Sequence, residues 1–343
     1  MVEKIIALDA MGGDYGPSVT VGAARLALEQ LPGIELVLVG KRDLLEAEME
    51  NNGLAADQRV SIHHASEVVG MDDLPVVALK KKKDSSMRVA INLVQEGRVQ
   101  ACVSAGNTGA LMATSKFVLK TIKGISRPAI CTLLPGIQGS TYMLDLGANP
   151  DCTPEILAEF ALMGSVLAQS VEGIKNPRIG LLNIGSEEIK GNENVKRAGQ
   201  LITESRLNYH GFVEGNDIYK GIVDVVVTDG FTGNVSLKTG EGVAALVNHV
   251  LQSEFRRNWL TRLAALCAMP VLTSVKRRLD PRRYNGASLL GLNGIVIKSH
   301  GSADTSSFFN AIKIANIEIE KEVPKRISKE IESYFSQIEE AVT

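Results

Sequence analysis

Six stretches of the sequence concentrate the side chains able to do chemistry. They are Asp9–Asp14, Ser104–Gly109, Asp145–Asn149, Asn183–Asn192, Lys298–Asp304 and the turn inside Asp224–Thr239. All are rich in Gly, Asp, Asn, Ser and Thr and poor in His. Glycine lets the main chain come close to a ligand, and the first N–H groups of a helix have no intrahelical partner, so such turns favour a small anion such as phosphate. Lys190, between Gly185 and Gly191, supplies a point charge for that anion or is a solvated surface lysine. Asn107, Asn149, Asn192 and Asn234 either orient a substrate oxygen or cap the helix that follows. His300 is the one histidine in these loops, an acid or base without an evident partner.

Other chemistries fit less well. Asp9, Asp14, Asp145 and Asp229 are dispersed through the loops with no ligand spacing that demands a metal; Asp14 and Asp145 read first as acceptors for loop amides. Lys238-Thr239 has the outline of a nucleotide P-loop, but Leu237 stands where that motif needs glycine. Gly240-Glu-Gly242 falls inside an expected helix and not at a strand end, which argues against NAD. No cofactor is expected.

The elements that must position these loops are apolar runs. Ile5–Leu8, Ala101–Val103, Tyr142–Leu144, Ile179–Leu182, Val225–Val227 and Ile295–Ile297 each lead directly into one of them. Helical segments intervene, the clearest having Thr153 as N-cap, Pro154 at the first helical position, Glu155 in the first turn and Ile156, Phe160, Met163 and Leu167 on one face. Alternating strands and helices predict an α/β fold with a mostly parallel sheet, its polar loops gathered at one edge where a ligand binds. The 343 residues are expected to form one α/β catalytic unit over 1–343, or two intertwined subdomains. A formal charge of −2 gives no overall pull toward nucleic acid, and four scattered cysteines without a C-x-x-C pair fit a reducing cytoplasm. Met1 runs almost directly into IIALD, which leaves no room for a signal peptide.

Taken together, DAMGGD (Asp9–Asp14), KKKDSSM (Lys81–Met87), VSAGNTGALMA (Val103–Ala113), LDLGAN (Leu144–Asn149), LLNIGSEEIKGNE (Leu181–Glu193), DVVVTDGFTGNV (Asp224–Val235) and GLNGIVIKSHGSAD (Gly291–Asp304) resemble the bacterial phosphate acyltransferase family, PlsX. The likeness runs in order through nearly the whole chain. It implies a Rossmann-like three-layer architecture akin to phosphotransacetylase and isocitrate dehydrogenase. The activity it implies is transfer of a long-chain fatty acyl group from acyl carrier protein to inorganic phosphate, giving acyl phosphate for phospholipid synthesis. Carried onto this sequence, the resemblance makes Lys190 and Asn234 the catalytic pair. Around the substrates it sets Asp9, Gly12, Gly13, Asn107, Thr108, Asp145, Asn149, Gly185, Asn192, Asp229, Gly233, His300 and Ser302. Phosphate is itself a nucleophile, so positioning and electrostatics suffice without an activated Ser or Cys, and a thiolate of reference pKa about 8.5 needs little help from an acid. A coenzyme A-dependent phosphate acetyl- or butyryltransferase and a non-catalytic, membrane-surface anion-binding module are the competing readings.

Two segments are locally basic. Lys80–Lys83 is a solvated turn or a contact for an acidic carrier protein or phosphate. Phe255–Arg283 holds eight Lys and Arg against Asp280 alone. Helical spacing puts Trp259, Leu260, Leu263 and Leu266 on one face, Pro270 is expected to break the segment, and Leu272 belongs to a second apolar stripe. This predicts an amphipathic helical hairpin over 250–285, packing on the core or across a dimer, or lying on an anionic bilayer. The family likeness implies both a homodimer and peripheral contact with the inner face of the cell membrane.

Overall fold

The computed structural model describes residues 4–279 and 281–342; the side chains of 276–279, 281, 283 and 334–342 lie outside the description. Its strands are β1 (Ile5–Asp9), β2 (Glu35–Gly40), β3 (Val60–His64), β4 (Ala101–Ser104), β5 (Ala129–Gly136), β6 (Gly139–Leu144), β7 (Ile179–Leu182), β8 (Tyr209–Val213), β9 (Val225–Val227), β10 (Ala287–Leu290) and β11 (Ile295–Lys298). Helices are α1 (Pro17–Gln30), α2 (Arg42–Asn51), α3 (Pro75–Lys81), α4 (Ser86–Gln95), α5 (Thr108–Leu119), α6 (Pro154–Glu172), α7 (Glu193–Glu204), α8 (Gly230–Arg256), α9 (Trp259–Leu279), α10 (Thr305–Glu320) and α11 (Val323–Val342). All the strands join one sheet, in the order β3-β2-β1-β4-β11-β10-β5-β6-β9-β7-β8. Val225, Val226 and Val227 are fully buried, as expected for a parallel strand covered on both faces.

Strand direction changes across the middle of the sheet. β3, β2, β1, β4 and β11 run parallel to one another; β10 is antiparallel to both β11 and β5, and β5 is antiparallel to β6. From β6 onward, β9, β7 and β8 run parallel again, now opposite to the first half. The six loops therefore do not share one edge, as the strand–helix alternation led us to expect. Those after β1, β4 and β11 lie at one edge, and those after β6, β9 and β7 at the other. Two tight connections cause the reversal: β5 turns into β6 through Ile137-Gln138, and β10 into β11 through a short loop.

Helices cover the two faces, giving a three-layer core. One apolar cluster packs β1, β2 and β4 against α1, α2 and α10, and another packs β6, β7 and β9 against α6, α7 and α11. α6 matches its sequence reading: the Thr153 hydroxyl accepts from the Ile156 amide at 3.5 Å, and Ile156, Phe160, Met163 and Leu167 are buried. The hairpin differs from expectation at two points. It consists of α8 and α9, so its first arm begins at Gly230 and not near 250, and α9 runs through Pro270 without a break. A helical proline frees the carbonyl four residues earlier, here that of Leu266, an exposed residue. Asp280, within the expected hairpin, lies outside the described residues. Among the described residues no helix is long and apolar enough to cross a membrane.

Candidate functional site

At the first edge, sheet register sets Asp9, Ser104 and Lys298 side by side on three neighbouring strands. In a parallel sheet abreast residues point to the same face. The Ser104 hydroxyl donates to Asp9 Oδ2 at 2.6 Å and accepts the Gly106 amide at 3.1 Å. Asp9 is buried, which pushes its carboxyl pKa up, and its Oδ1 has no protein partner. Gly12 and Gly13 close the loop tightly. A Cβ on Gly12 would stand 2.6 Å from Asp9 Oδ2, and one on Gly13 would stand 2.9 Å from the Ala105 Cβ in a backbone of positive φ. The Asp14 amide donates to Gly301 O at 2.9 Å, tying the first loop to the His300–Ser302 turn, where His300 Nδ1 and the Ser302 hydroxyl lie 2.8 Å apart.

The second edge is organised by Asp145. Its Oδ1 accepts the amides of Ile130 (2.9 Å) and Ala148 (3.1 Å), and Oδ2 accepts the Asn149 amide (2.7 Å) and side-chain N–H (2.9 Å). Burial pushes this carboxyl's pKa up against the pull of those donors. Asn149 gives its other N–H to Pro128 O at 2.8 Å. Both side chains shape the loop, which is how Asp145 reads first in the sequence. The same holds for three helix caps: Asn107 receives the Ala110 amide, Asn192 the Val195 amide and Asp229 the Thr232 amide. Each such cap is worth about 1 kcal/mol.

Asn234 sits near the start of α8, exposed, with its side chain over Gly147. Gly147 leaves that space by having no side chain, and its φ of 121° is one that L residues rarely adopt. Gly233 is pressed against the neighbouring loop, so that a Cβ there would stand only 1.9 Å from Asp145 O. Gly185 is buried against the aliphatic stem of Lys190. Lys190 itself is about half exposed, 3.6 Å from Glu187, and its carbonyl accepts from Asn183 Nδ2 at 3.1 Å. Strands β9 and β7 are neighbours, so the start of α8, which carries Asn234, and the loop that carries Lys190 lie at the same edge.

A cleft of about 1920 Å³ links the two edges across β5 and β10. Thr108, His300 and Ser302 line it from the first edge, and Leu146, Gly147 and Asn234 from the second. Lys190 is not among its lining residues, nor are Asp9, Asp145 or Asn192. Among the described residues, the cations that do line it are Lys116, Lys238, Arg282 and Lys298. Of these, Lys298 was missed in the sequence as a site residue, although a lysine ending the apolar run Ile295–Ile297 was the available signal. Lys238 was noticed only as a failed P-loop. The cleft's apolar wall continues along α8 through Val235, Val243 and Val247. From Asn234 to Val247 that wall is about 20 Å long. Such a space can hold a phosphate-sized anion at its polar end and a long apolar chain along its wall.

Lys82, in the basic run, is committed to an ion pair with Asp73 at 2.5 Å and a bond to Val68 O. On the hairpin, Trp259, Leu260, Leu263 and Leu266 are exposed and Leu272 is half-buried. Val243, Leu246, Val247 and Val250 of α8 are exposed as well. Lys276, Arg277, Arg278 and Arg283 belong to the expected basic hairpin, but their side chains lie outside the described residues.

Residues 4–326 match the family described as fatty acid synthesis protein. A phosphate acyltransferase of Nitrosococcus oceani is 58% identical over 332 residues, covering 97% of this chain and 98% of the relative. The phosphate acyltransferase of Methylococcus capsulatus is 58% identical over 331 residues, covering 96% and 98%. Among solved structures, a phosphotransacetylase from Streptococcus pyogenes superposes with a TM-score of 0.62 at 20% identity, over 93% of this chain and 94% of that one. This last likeness shows the fold alone.

Proposed function

This chain belongs to the fatty acid synthesis protein family, and from that premise we propose how its cleft works as a phosphate acyltransferase. The reaction moves a fatty acyl group onto inorganic phosphate and yields acyl phosphate for phospholipid synthesis. Phosphate is held at the polar end beside Asn234, and Lys190 on the neighbouring loop, outside the cleft lining, adds its positive charge from there. Asn234 donates to the oxygen of the thioester carbonyl, where negative charge develops in the tetrahedral intermediate. The acyl chain lies along the apolar wall of α8. One observation carries this reading: Asn234 stands where the polar floor of the cleft meets its long apolar wall.

The acyl donor in this reading is acyl carrier protein thioester and not coenzyme A thioester. The length of the apolar wall supports a long chain over an acetyl group, and the comparison of donors decides the carrier. With the same long acyl group on both carriers, kcat/KM is expected to favour the carrier protein by at least about tenfold, a difference of about 1.4 kcal/mol. Equal use of both, or preference for coenzyme A, would reverse the assignment.

The exposed apolar faces of α8 and α9 support a hairpin that serves both a homodimer contact and an anionic membrane surface at the cytoplasmic side. Sedimentation with anionic liposomes should carry down the wild type, and Leu263→Glu with Leu266→Glu should release it. Failure of the wild type to bind, or undiminished binding by the double variant, ends the membrane role.

A further inference from the structure

We propose that Lys298 is the general acid of the cleft, delivering a proton to the sulfur as the thioester breaks. The inference rests on the acyl-transfer reading above and adds a residue to it. Lys298 ends β11, is only 9% exposed and yet lines the cleft. Its Nζ donates to Ala105 O at 3.3 Å and to Ser299 O. Those two main-chain bonds fix the amine and leave its third N–H for the cleft. A fixed amine with one free donor suits proton delivery at a single atom. The exposed Lys190 and Lys238 suit an anion instead.

The surroundings tune this amine in the required direction. Burial is the main cause that lowers its pKa to about 8; Asp9 on β1 and Asp14 in the following loop oppose the fall, and Lys238 on α8 adds to it. Lys116, Tyr219, Glu241, Arg282, Tyr284 and His300 are the other charged or titratable groups that line the cleft among the described residues, and Glu241 pairs with Lys238 at 2.7 Å. Arg282 is paired with Asp304 at 3.1 Å. In open water a departing thiolate needs little help. Against the apolar lining, a bare thiolate is poorly solvated and its proton affinity rises, so an acid at hand becomes useful.

The step balances without any further reactant. An oxygen of hydrogen phosphate bonds to the carbonyl carbon, and the C–S bond breaks with its electron pair on sulfur. The Lys298 ammonium passes a proton to that sulfur, and the neutral amine recovers one from the phosphate hydroxyl as acyl phosphate forms. Nothing is oxidised or reduced.

The test compares two thioesters of the same acyl group, one with an alkyl thiol and one with a far more acidic aryl thiol, using wild type, Lys298→Gln and Lys298→Arg. Product is trapped with hydroxylamine. For Lys298→Gln the rate with the alkyl thioester should fall by about 10²-fold, the lower end for general acids, and the rate with the aryl thioester by no more than about twofold. The ratio between donors does not depend on how much variant is folded. Lys298→Arg, which keeps the charge but does not give up a proton, should behave as Lys298→Gln. In wild type, kcat with the alkyl donor should decline as pH rises through about 8, where the acid form is lost, and this decline should vanish in Lys298→Gln. Equal loss with both donors, or no loss with either, overturns the role of Lys298 while leaving the proposed function standing. A wild type that makes no acyl phosphate removes the proposed function, and this inference with it.

Discussion

Replacing Gly233 by alanine is expected to abolish most acyl phosphate formation and to lower stability at the same time. The Cβ would stand 1.9 Å from Asp145 O, and this is main chain on both sides, so no side chain can swing away. Asp145 cannot yield easily, because its carboxylate holds three amides and the Asn149 side chain in a buried loop. The start of α8 must move instead. Overpacking of this kind costs about 1–3 kcal/mol, and a shift of about 1 Å in Asn234 is enough for a loss of about 10²-fold. Urea unfolding together with the trapped-product rate would check both halves. An alanine variant with wild-type midpoint and rate would show that the loop contact does not position Asn234.

Asn234→Ala should give the second large effect, and a cleaner one. The side chain is exposed in the cleft and lies over Gly147, so the fold should survive its truncation. If it supplies the oxyanion donor, kcat should fall by about 10²–10³-fold, near 3–4 kcal/mol, with little change in KM for the thioester. Lys190→Ala should differ in kind. As an anion contact made outside the cleft lining, Lys190 should act mainly on KM for phosphate. Steady-state kinetics with each substrate varied in turn separates the two. Activity of Asn234→Ala within a few-fold of wild type would remove it from the mechanism.

Much of this site was legible in the sequence because local rules govern its parts. Apolar runs that end in Gly-rich turns located the loops, and the Thr153-Pro154-Glu155 signal located the start of α6. The arrangement of the loops was not legible, because strand direction depends on which connections are hairpins. The β5–β6 turn at Ile137-Gln138 reverses half the sheet, yet it presents neither Asn-Gly nor Asp-Gly as a signal. Lys298 was hidden for a related reason. Only the register of β1, β4 and β11 shows that it stands beside Ser104 and Asp9, residues nearly two hundred or more positions away. Asp145 and Asn149 show the opposite limit. Their types left loop-shaping and substrate contact both open, with loop-shaping the first reading for Asp145, and only their hydrogen bonds reveal which groups of the loop they hold.

The central claim is that this cleft joins an acyl thioester to phosphate. The most direct measurement supplies purified protein with long-chain acyl carrier protein thioester, with and without phosphate, and counts released thiol against hydroxylamine-trapped acyl phosphate. The account predicts one trapped acyl phosphate for each thiol released, both dependent on phosphate. Thiol release that continues without phosphate, or that leaves no trappable acyl phosphate, would contradict it.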